Sequence, residues 1–346
     1  LVAELRRHLV DPEISEGLRD AAAHRLAMLS RVRPGGRPLA PAADPSTWWG
    51  TREFTRSEAP LVPPDEPVAV SASLLTEIGV CPARWFMERG AAGQEVANQA
   101  QGFGNLAHAL ADRIGRGEAD KDGAVDGTAV DHLLRQVAEV WGQVPFRTPW
   151  SSDREFAELR AGLARFVAWH SRADARELLA TEQGFRSDCT LPNGEQVTLR
   201  GFADRLELDS AGRIVVVDLK TGKYPAEKVA EHAQLGLYQL AVASGAFDDL
   251  LAGAEPDPES GPDLHAREPG GAELWQLRLE SVGSLKVQRQ LPPVRDEEGW
   301  LPVERKLADA VEILRDESLV TRPGTHCSRC PFQRFCPAVT AKAVLG

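Results

Sequence analysis

The 346-residue sequence lacks several features that mark particular classes of protein. No apolar run approaches the ~20 residues that cross a bilayer, and no signal-peptide pattern opens the chain, so we expect no membrane partner. No Walker A phosphate loop is present, and this piece therefore carries no ATPase of its own. Basic residues are not in excess, because 40 Lys and Arg stand against 51 Asp and Glu, for a net charge of −11. That balance argues against strong autonomous binding of a polyanion, although a channel can be locally basic.

Cysteine is scarce, and five is an odd number in a chain without a secretory signal. We therefore expect a reduced compartment with a metal or cluster rather than disulfides. Cys327, Cys330 and Cys336 lie close together, and Cys81, which is also followed by proline, is the natural fourth thiolate. The residues alone leave open both a zinc site and an iron–sulfur cluster, since the two use the same ligands. Cys189, inside a predicted strand, is expected to be a buried structural thiol.

The chain divides by composition into a short N-terminal part, 1–67, and a larger part, 68–346. Residues 1–30 have helical periodicity. Residues 33–67 are rich in proline and glycine, which is typical of an extended linker. Because the first residue is Leu1 rather than Met, we expect the chain to be a piece of a longer polypeptide.

Helices and strands alternate in the larger part. Helices are predicted over 129–142, 153–180, 228–244 and 303–314, and strands over 181–185, 202–208, 213–219, 273–279 and 284–290. A hairpin is predicted over 188–199, with its turn at Pro192-Asn193-Gly194. Ser73 is the expected cap of one further helix, and another begins at Gly102. The stretch 252–273, rich in proline, glycine and acids, is predicted to be a variable or disordered loop.

The stretch 201–222, which reads GFADRLELDSAGRIVVVDLKTG, carries the most chemistry. Two apolar runs flank a Ser-Ala-Gly turn and predict a β-hairpin whose second strand is buried on both faces. Asp218 and Lys220 project to the same face of that strand, and Asp204 on the partner strand can reach it. Two carboxylates and a lysine at a buried strand end are costly unless they are paired or hold a cation. The pattern therefore predicts a divalent metal site with a lysine beside it.

This stretch resembles the active-site core of the PD-(D/E)XK nuclease superfamily, and in particular its RecB-type branch. The matching segments are 201–205 (GFADR), 218–222 (DLKTG) and 234–238 (QLGLY). The nominal proline–aspartate pair is absent, because Val217 precedes Asp218 and the upstream acid is Asp204. The resemblance implies an α/β, restriction-endonuclease-like core in which a central mixed β-sheet is flanked by helices.

The resemblance also implies a set of metal ligands. In RecB-type nucleases a glycine followed four residues later by histidine supplies one ligand, and Gly104 and His108 match that spacing. The other implied ligands of Mg²⁺ or Mn²⁺ are Asp204, Asp218 and the carbonyl of Leu219. The implied activity is that of a metal-dependent deoxyribonuclease acting mainly on single strands.

Further side chains have implied roles in phosphodiester hydrolysis. Lys220 would position or deprotonate the attacking water and stabilise the pentavalent transition state. Gln234 and Tyr238 share one helix face, which the resemblance turns toward the active site, with Gln234 contacting DNA or ordering the metal shell. For Glu182 the sequence leaves two interpretations open, an acid near the site or an exposed acid of an edge strand.

The cysteine pattern resembles that of iron–sulfur nucleases of the AddB type, in which one upstream cysteine and a C-terminal triplet bracket the nuclease. The resemblance implies that Cys81, Cys327, Cys330 and Cys336 bind a 4Fe–4S cluster in preference to zinc. By analogy with a disulfide that closes a long loop, such a tie would stabilise the fold by roughly 5 kcal/mol. We expect the cluster, which ties the ends of the domain, to be structural rather than redox-catalytic.

The segment 43–50, ADPSTWWG, resembles the end of the motor portion of actinobacterial AdnB-like helicase–nucleases. This implies a helicase motor in the same polypeptide, a second helicase–nuclease subunit in a heterodimer, and a DNA strand fed to the nuclease. The implied process is end resection of double-strand breaks in recombination repair, in the bacterial cytoplasm at the nucleoid. Two alternatives stay open, a stand-alone iron–sulfur exonuclease and a catalytically inactive DNA-binding scaffold.

Overall fold

The structure, a computed structural model, describes most of the chain. The described residues are 1–48, 59–91, 93, 99–117, 127–144, 146, 148–251 and 268–339. Trp49 and most of the predicted loop 252–273 lie outside them. Contacts between residues divide the chain into two units, Leu1–Ala59 and Pro60–Gly346.

The N-terminal unit begins with two helices, α1 (Val2–Val10) and α2 (Glu16–Arg31). The predicted N-terminal helical region is divided because Pro12 has no N–H to donate and disfavours the helical conformation of the residue before it. Short 3-10 turns follow α2. Within this unit the indole N–H of Trp48 donates to the carbonyl oxygen of Ala42 at 2.7 Å.

The larger unit alternates helices with the strands of one sheet. Its strands are β1 (Val68–Val70), β2 (Glu177–Thr190), β3 (Gln196–Leu208), β4 (Ile214–Lys220), β5 (Gly271–Ser281) and β6 (Ser284–Gln290). Its helices are α3 (Ala72–Val80), α4 (Pro82–Arg89), α5 (Gln99–Gly115), α6 (Gly127–Trp141), α7 (Pro149–His170), α8 (Ala233–Ala243), α9 (Asp248–Leu251) and α10 (Pro302–Arg315). In the described part of the chain, no helix combines the length and the apolar character needed to cross a membrane.

Strand β3 organises the sheet. β2 pairs with it antiparallel along nearly its whole length, whereas β1 pairs parallel with its first part and β4 antiparallel with its last part. β5 runs parallel to β4, and β6 runs antiparallel to β5. The sheet is therefore mixed, and with its helices it confirms the predicted α/β fold with a central mixed sheet.

Helices cover both faces of the sheet, which explains the uninterrupted apolar run of β4. Val216 belongs to a core that includes side chains of α3, α8 and α10, whereas Val217 belongs to a second core with α5, α6 and α7. Successive side chains of a strand point to opposite faces, so a strand covered on both sides is apolar at every position. Asp218 and Lys220 interrupt that pattern at the end of β4.

The predicted helix 153–180 extends too far. α7 ends at His170, and residues 177–180 belong to β2, where Leu178 lies opposite Glu207 of β3. Pairing with a neighbouring strand overrides the local helical periodicity of this segment. The strand predicted over 181–185 and the hairpin predicted over 188–199 are parts of one longer hairpin, β2–β3.

The predicted helix 228–244 begins too early. α8 starts at Ala233, and a 3-10 turn, Val229–Glu231, precedes it. Gln290 of β6 explains the interruption, because its Nε2 donates to three backbone carbonyls between 229 and 232, at 3.0, 3.0 and 3.2 Å. A side chain from a distant strand therefore satisfies carbonyls that a longer helix would have bonded internally.

A short helix pair, α3 and α4, follows β1. Ser71 caps α3, since its hydroxyl accepts from the backbone N–H of Leu74 at 3.2 Å. The expected cap at Ser73 is wrong, because this residue already lies inside the first helical turn. Cys81 separates the two helices in an extended conformation, and Pro82 begins α4, where a missing N–H costs nothing.

Candidate active site

Asp218 and Lys220 lie at the end of β4 on the same face of the strand. Gln234 of α8 joins them, because its Nε2 donates to Asp218 Oδ1 at 2.6 Å and its Oε1 accepts from Lys220 Nζ at 2.9 Å. Lys220 Nζ also lies 2.7 Å from Asp218 Oδ2. The three side chains form a closed ring of polar contacts.

The Asp218 carboxylate is buried, at 2% exposed, and among the described residues the Lys220 ammonium is its one charged partner, 2.7 Å from Oδ2. Burial raises the pKa of Asp218 to about 6, with the Lys220 charge opposing the rise and the Asp204 charge adding to it. A buried carboxylate that stays hard to ionise beside a lysine is a group that a further cation would stabilise.

Asp204 of β3 faces the same region where β3 and β4 separate. Their ladder pairing runs only as far as Arg205 with Val217. Beyond it, the backbone N–H of Leu219 donates to Asp204 Oδ2 at 2.6 Å, in place of a strand–strand bond. The other oxygen, Oδ1, lies 3.4 Å from Nδ1 of His108 in α5. Asp204 therefore links the end of β4 to α5.

Glu182 completes the cluster from β2. Its Oε1 lies 3.9 Å from His108 Nδ1. Glu182 has φ of +46°, a left-handed conformation that side chains other than glycine seldom adopt, least of all within a strand. Such strain is held at sites where the surrounding structure requires it, and here it places a third carboxylate beside His108 and Asp204.

The pKa values of these groups reflect a surplus of negative charge. Burial by itself lowers the pKa of His108, but the hydrogen bond to Asp204 and the charges of the surrounding acids outweigh it and raise the pKa. Burial, and then the charge of Asp204, raise the pKa of Glu182. The acids therefore make protonation of His108 easier and ionisation of each other harder.

This cluster fits a divalent cation. Ligand atoms of His108, Glu182 and Asp204 all lie within 4.8 Å of one another, and the three side chains are half-buried. Carboxylate oxygens suit Mg²⁺ and Mn²⁺, and the surplus acid supplies the charge that a cation would neutralise. Of the predicted ligands, the structure brings His108 and Asp204 together but keeps Asp218 in the adjoining ring. Leu219 contributes its N–H to Asp204.

Tyr238 supports the ring from behind. Its hydroxyl accepts from Gln234 Nε2 at 2.8 Å and donates to the carbonyl oxygen of Phe202 at 3.0 Å. Burial raises the pKa of Tyr238 far above its ordinary value, so the hydroxyl keeps its proton. Tyr238 and Gln234, on the same helix face, are therefore in direct contact, and Tyr238 links Gln234 to the backbone of β3.

Glu182 is the residue that the sequence left undecided. The structure places it in the cluster rather than on an exposed edge, because α5 covers this part of β2. The distance along the sequence from Glu182 to the other acids does not predict that they meet. Its left-handed backbone conformation also cannot be predicted from the sequence. Only the β2–β3 register, which pairs Thr181 with Arg205 and Gln183 with Ala203 on either side, brings position 182 near Asp204.

The clustered cysteines form a second candidate site. Cys81, Cys327, Cys330 and Cys336 line one cavity of about 470 Å³ between α4 and the C-terminal segment. None of them forms a disulfide, and Cys81 is buried while the others are half-buried. The N–H of Gly324 points to Cys327 Sγ at 3.3 Å. Thiolates meeting in one cavity are a donor set for zinc or for an iron–sulfur cluster.

Cys189 stands apart from that cavity. It lies in β2 and is half-buried rather than fully buried. Its side chain packs against the core on the α8 side of the sheet. Burial raises the pKa of Cys189 to about 11, so the thiol is neutral and unreactive.

Comparison with known proteins identifies the family. No curated protein matches the chain. Among solved structures, the crystal structure of SSO0001 is similar at 14% identity and a TM-score of 0.36, covering 79% of this chain and 88% of that chain. The model of the PD-(D/E)XK nuclease superfamily, whose members are generally nucleases that use divalent metals such as Mg²⁺ or Mn²⁺, matches residues 69–337. That range includes both candidate sites, and the chain belongs to the PD-(D/E)XK nuclease superfamily.

Proposed function

We propose that this chain is a Mg²⁺- or Mn²⁺-dependent deoxyribonuclease that hydrolyses phosphodiester bonds, mainly in single-stranded DNA. The observation that carries the proposal is the surplus of acids beside one lysine where β3 and β4 separate. The cluster of His108, Glu182 and Asp204 would hold the cation, and Asp218 adjoins it. A bound divalent cation lowers the pKa of a coordinated water and neutralises charge on the phosphate.

The position of Lys220 supports a role in stabilising the transition state. Its side chain is 33% exposed, so its ammonium can reach a phosphate from outside the core. Its contacts to Asp218 and Gln234 hold it in place before the reaction. A positive charge that is already oriented costs no reorganisation as charge develops on the phosphate. Lys220 would also orient the attacking water or accept its proton.

The four clustered cysteines would bind a 4Fe–4S cluster. All four line one cavity of about 470 Å³, which has room for a polynuclear cluster. The resemblance of the cysteine pattern to that of iron–sulfur nucleases favours a cluster over zinc, which uses the same ligands. The site connects the start of α4 to the C-terminal segment, which supports a structural role.

The larger context in the proposal is an AdnB-like helicase–nuclease that resects double-strand breaks in the bacterial cytoplasm. A helicase motor in the same polypeptide and a second subunit would deliver a single strand to the nuclease. The net charge of −11 supports delivery by a partner, because it disfavours capture of DNA by this chain alone.

The test uses protein purified without oxygen and end-labelled single-stranded DNA with Mn²⁺ or Mg²⁺. We expect metal-dependent cleavage by the wild type, loss of cleavage in Asp218→Ala, and iron, sulfide and the visible absorption of the cluster in both. Absence of cleavage by folded wild type, alone and with its motor subunit, would overturn the nuclease proposal. If the purified protein contained zinc in place of iron and sulfide, the proposal of a 4Fe–4S cluster would be wrong.

A further inference from the structure

A stripe of side chains leads away from the active site along one face of the β2–β3 hairpin. Two of its cross-strand pairs are Gly184 opposite Phe202 and Arg186 opposite Arg200. The next position toward the active site, between the pairs Thr181–Arg205 and Gln183–Ala203, is that of Glu182 and Asp204. Residues two apart in a strand share a face, and each such step spans roughly 6.6 Å. An aromatic ring therefore follows the acids by one step, and a pair of arginines follows by two.

Phe202 is the aromatic member of the stripe. It is 67% exposed, although an apolar ring on a strand is usually covered. Its ring lies over Gly184, since a Cβ on that glycine would be 3.2 Å from the ring. One side of the ring therefore packs on Gly184 and stabilises the hairpin. Most of the ring remains open, and Tyr238 fixes the position of its backbone through the Phe202 carbonyl.

Arg186 and Arg200 are the charged members. They are exposed and lie directly opposite each other, an arrangement that is destabilising for like charges. Neither guanidinium forms an ion pair or hydrogen bond with another described residue. In a chain with 51 acidic residues, two adjacent arginines without carboxylate partners indicate a site for an external anion.

The stripe is continuous with the active site. Phe202 and Arg200 line a cleft of about 590 Å³ together with Gln234 and Tyr238. Gln234 is the residue that bonds both Asp218 and Lys220. Gln234 therefore borders both this cleft and the ring that contains Lys220, so a strand whose phosphate lies at Lys220 would pass Gln234 to reach Phe202.

We propose that this stripe binds the single-stranded flank of the DNA substrate. A base stacks on Phe202, and the phosphates of the same strand contact Arg186 and Arg200. An aromatic side chain can stack only on a base that has left a duplex, and such stacking tolerates any base sequence. The inference rests on the proposed nuclease function and adds to it the surface that makes the enzyme select single strands.

The first test measures binding without cleavage. Fluorescence anisotropy of a labelled oligothymidine, at low salt with EDTA, compares wild type with Phe202→Leu and Phe202→Trp. Leucine keeps an apolar cover over Gly184 but has no aromatic face, so we expect about tenfold weaker binding. Tryptophan keeps the face, and we expect affinity within about threefold of wild type. A duplex of equal length should bind the three proteins alike.

The second test uses the salt dependence of the same affinity. Each phosphate contact that is lost from a single strand lowers the log–log salt slope by about 0.7. We expect that decrease in Arg186→Gln and in Arg200→Gln. Arg135→Gln is the matched control, because Arg135 is exposed on α6, outside the stripe, and its slope should equal that of wild type.

Two results would overturn the stripe: wild-type affinity in Phe202→Leu, whatever its melting temperature, or unchanged salt slopes in both stripe arginine variants. These outcomes are distinct from failure of the nuclease proposal, because EDTA removes cleavage from the assay. A protein that binds through the stripe but never cleaves with Mn²⁺ would contradict only the nuclease. A protein that cleaves but binds equally well without Phe202 would contradict only the stripe.

Discussion

Two clusters of buried charge share the central strands, and their electrostatics are opposite. The first is the active site, with its surplus of acids. The second, which we call the arginine–glutamate network, consists of Arg176, Arg205, Glu207, Glu273 and Arg289. The boundary between them falls between consecutive residues of β3, because Asp204 faces His108 while Arg205 bonds Glu207 at 2.5 Å.

Glu273 shows how the network balances its charge. Its carboxylate accepts from Arg176 at 2.8 Å, from the indole N–H of Trp275 at 2.8 Å and from Arg289 at 2.9 Å. Burial alone would raise the pKa of Glu273, but these donors outweigh burial and lower it. In the active site burial prevails, and the pKa of Asp218 rises to about 6.

The difference separates structural charge from functional charge. A buried carboxylate that accepts from several donors, as Glu273 does, is stable as it stands and has little capacity for a further ligand. A buried carboxylate beside other acids, with one ammonium as its charged partner, is stabilised when a further cation binds. The following predictions test that distinction, from the largest expected effect to the smallest.

Replacing the lysine of the active site should have the largest effect. Lys220→Ala removes the oriented charge at the phosphate, and we expect cleavage to fall by about 10³-fold. Single-turnover cleavage of labelled single-stranded DNA measures it. Lys228→Ala is the control, since Lys228 is 76% exposed and pairs only loosely with Glu231 at 3.8 Å. Equal activity of the two variants would contradict the assigned role of Lys220.

Breaking the arginine–glutamate network should lower stability instead. Glu273→Gln removes a buried negative charge that accepts from Arg176, Trp275 and Arg289 and leaves Arg176 with Glu207 as its remaining counter-charge. We expect the free energy of unfolding to fall by about 3 kcal/mol in urea titrations at pH 7. Because folding lowers the pKa of Glu273, this stabilisation exists above its unfolded value near 4.5 and is lost as pH falls through the native value. The difference between the proteins should therefore shrink in acid. Glu280→Gln, at the exposed end of β5, should stay within about 0.5 kcal/mol of wild type.

Removing the charge of Asp218 in the active site should raise the stability of the protein. Folding raises the pKa of Asp218 to about 6 from 3.8, so its ionisation destabilises the native state as pH rises between those values. With a chelator present, we expect Asp218→Asn to be more stable than wild type by about 2 kcal/mol at pH 8. At pH 4 the two should be equal. If Asp218→Asn were less stable than wild type at pH 8, the Asp218 charge would be structural, like that of Glu273.

Glu182 should contribute to metal affinity. Glu182→Gln keeps the shape of the side chain but removes its charge, and we expect at least about tenfold weaker Mn²⁺ binding in calorimetry without DNA. Glu177→Gln, an exposed acid at the start of the same strand, is the control. Unchanged affinity in Glu182→Gln would exclude this carboxylate from the metal site.

The smallest expected effect concerns the backbone of the same residue. Glycine adopts positive φ without strain, so Glu182→Gly should raise the free energy of unfolding by about 1 kcal/mol while it weakens metal binding. Glu182→Gln should show the loss of affinity without the gain in stability. A Glu182→Gly variant less stable than Glu182→Gln would show that φ of +46° carries no strain.

Much of the architecture could be predicted from local patterns. The β3–β4 hairpin, the buried strand β4 and the grouping of Asp218 with Lys220 all follow from alternation along a strand. The wrong boundaries lie where residues far apart in the chain make contact. Residues 177–180 belong to β2 because they pair with β3, and α8 starts later than predicted because Gln290 bonds the preceding carbonyls. Neither contact can be predicted from the local sequence of the segment that it changes.

The sequence by itself determined which residues are polar within an apolar strand, because the side-chain period of a strand is local. It therefore singled out Asp204, Asp218 and Lys220, and it singled out four cysteines by their spacing. The tertiary structure decided which of these groups meet. Glu182 joins His108, Arg205 turns to the neighbouring network, and Cys81 reaches the C-terminal cavity, because contacts between residues far apart in the chain depend on strand register and packing.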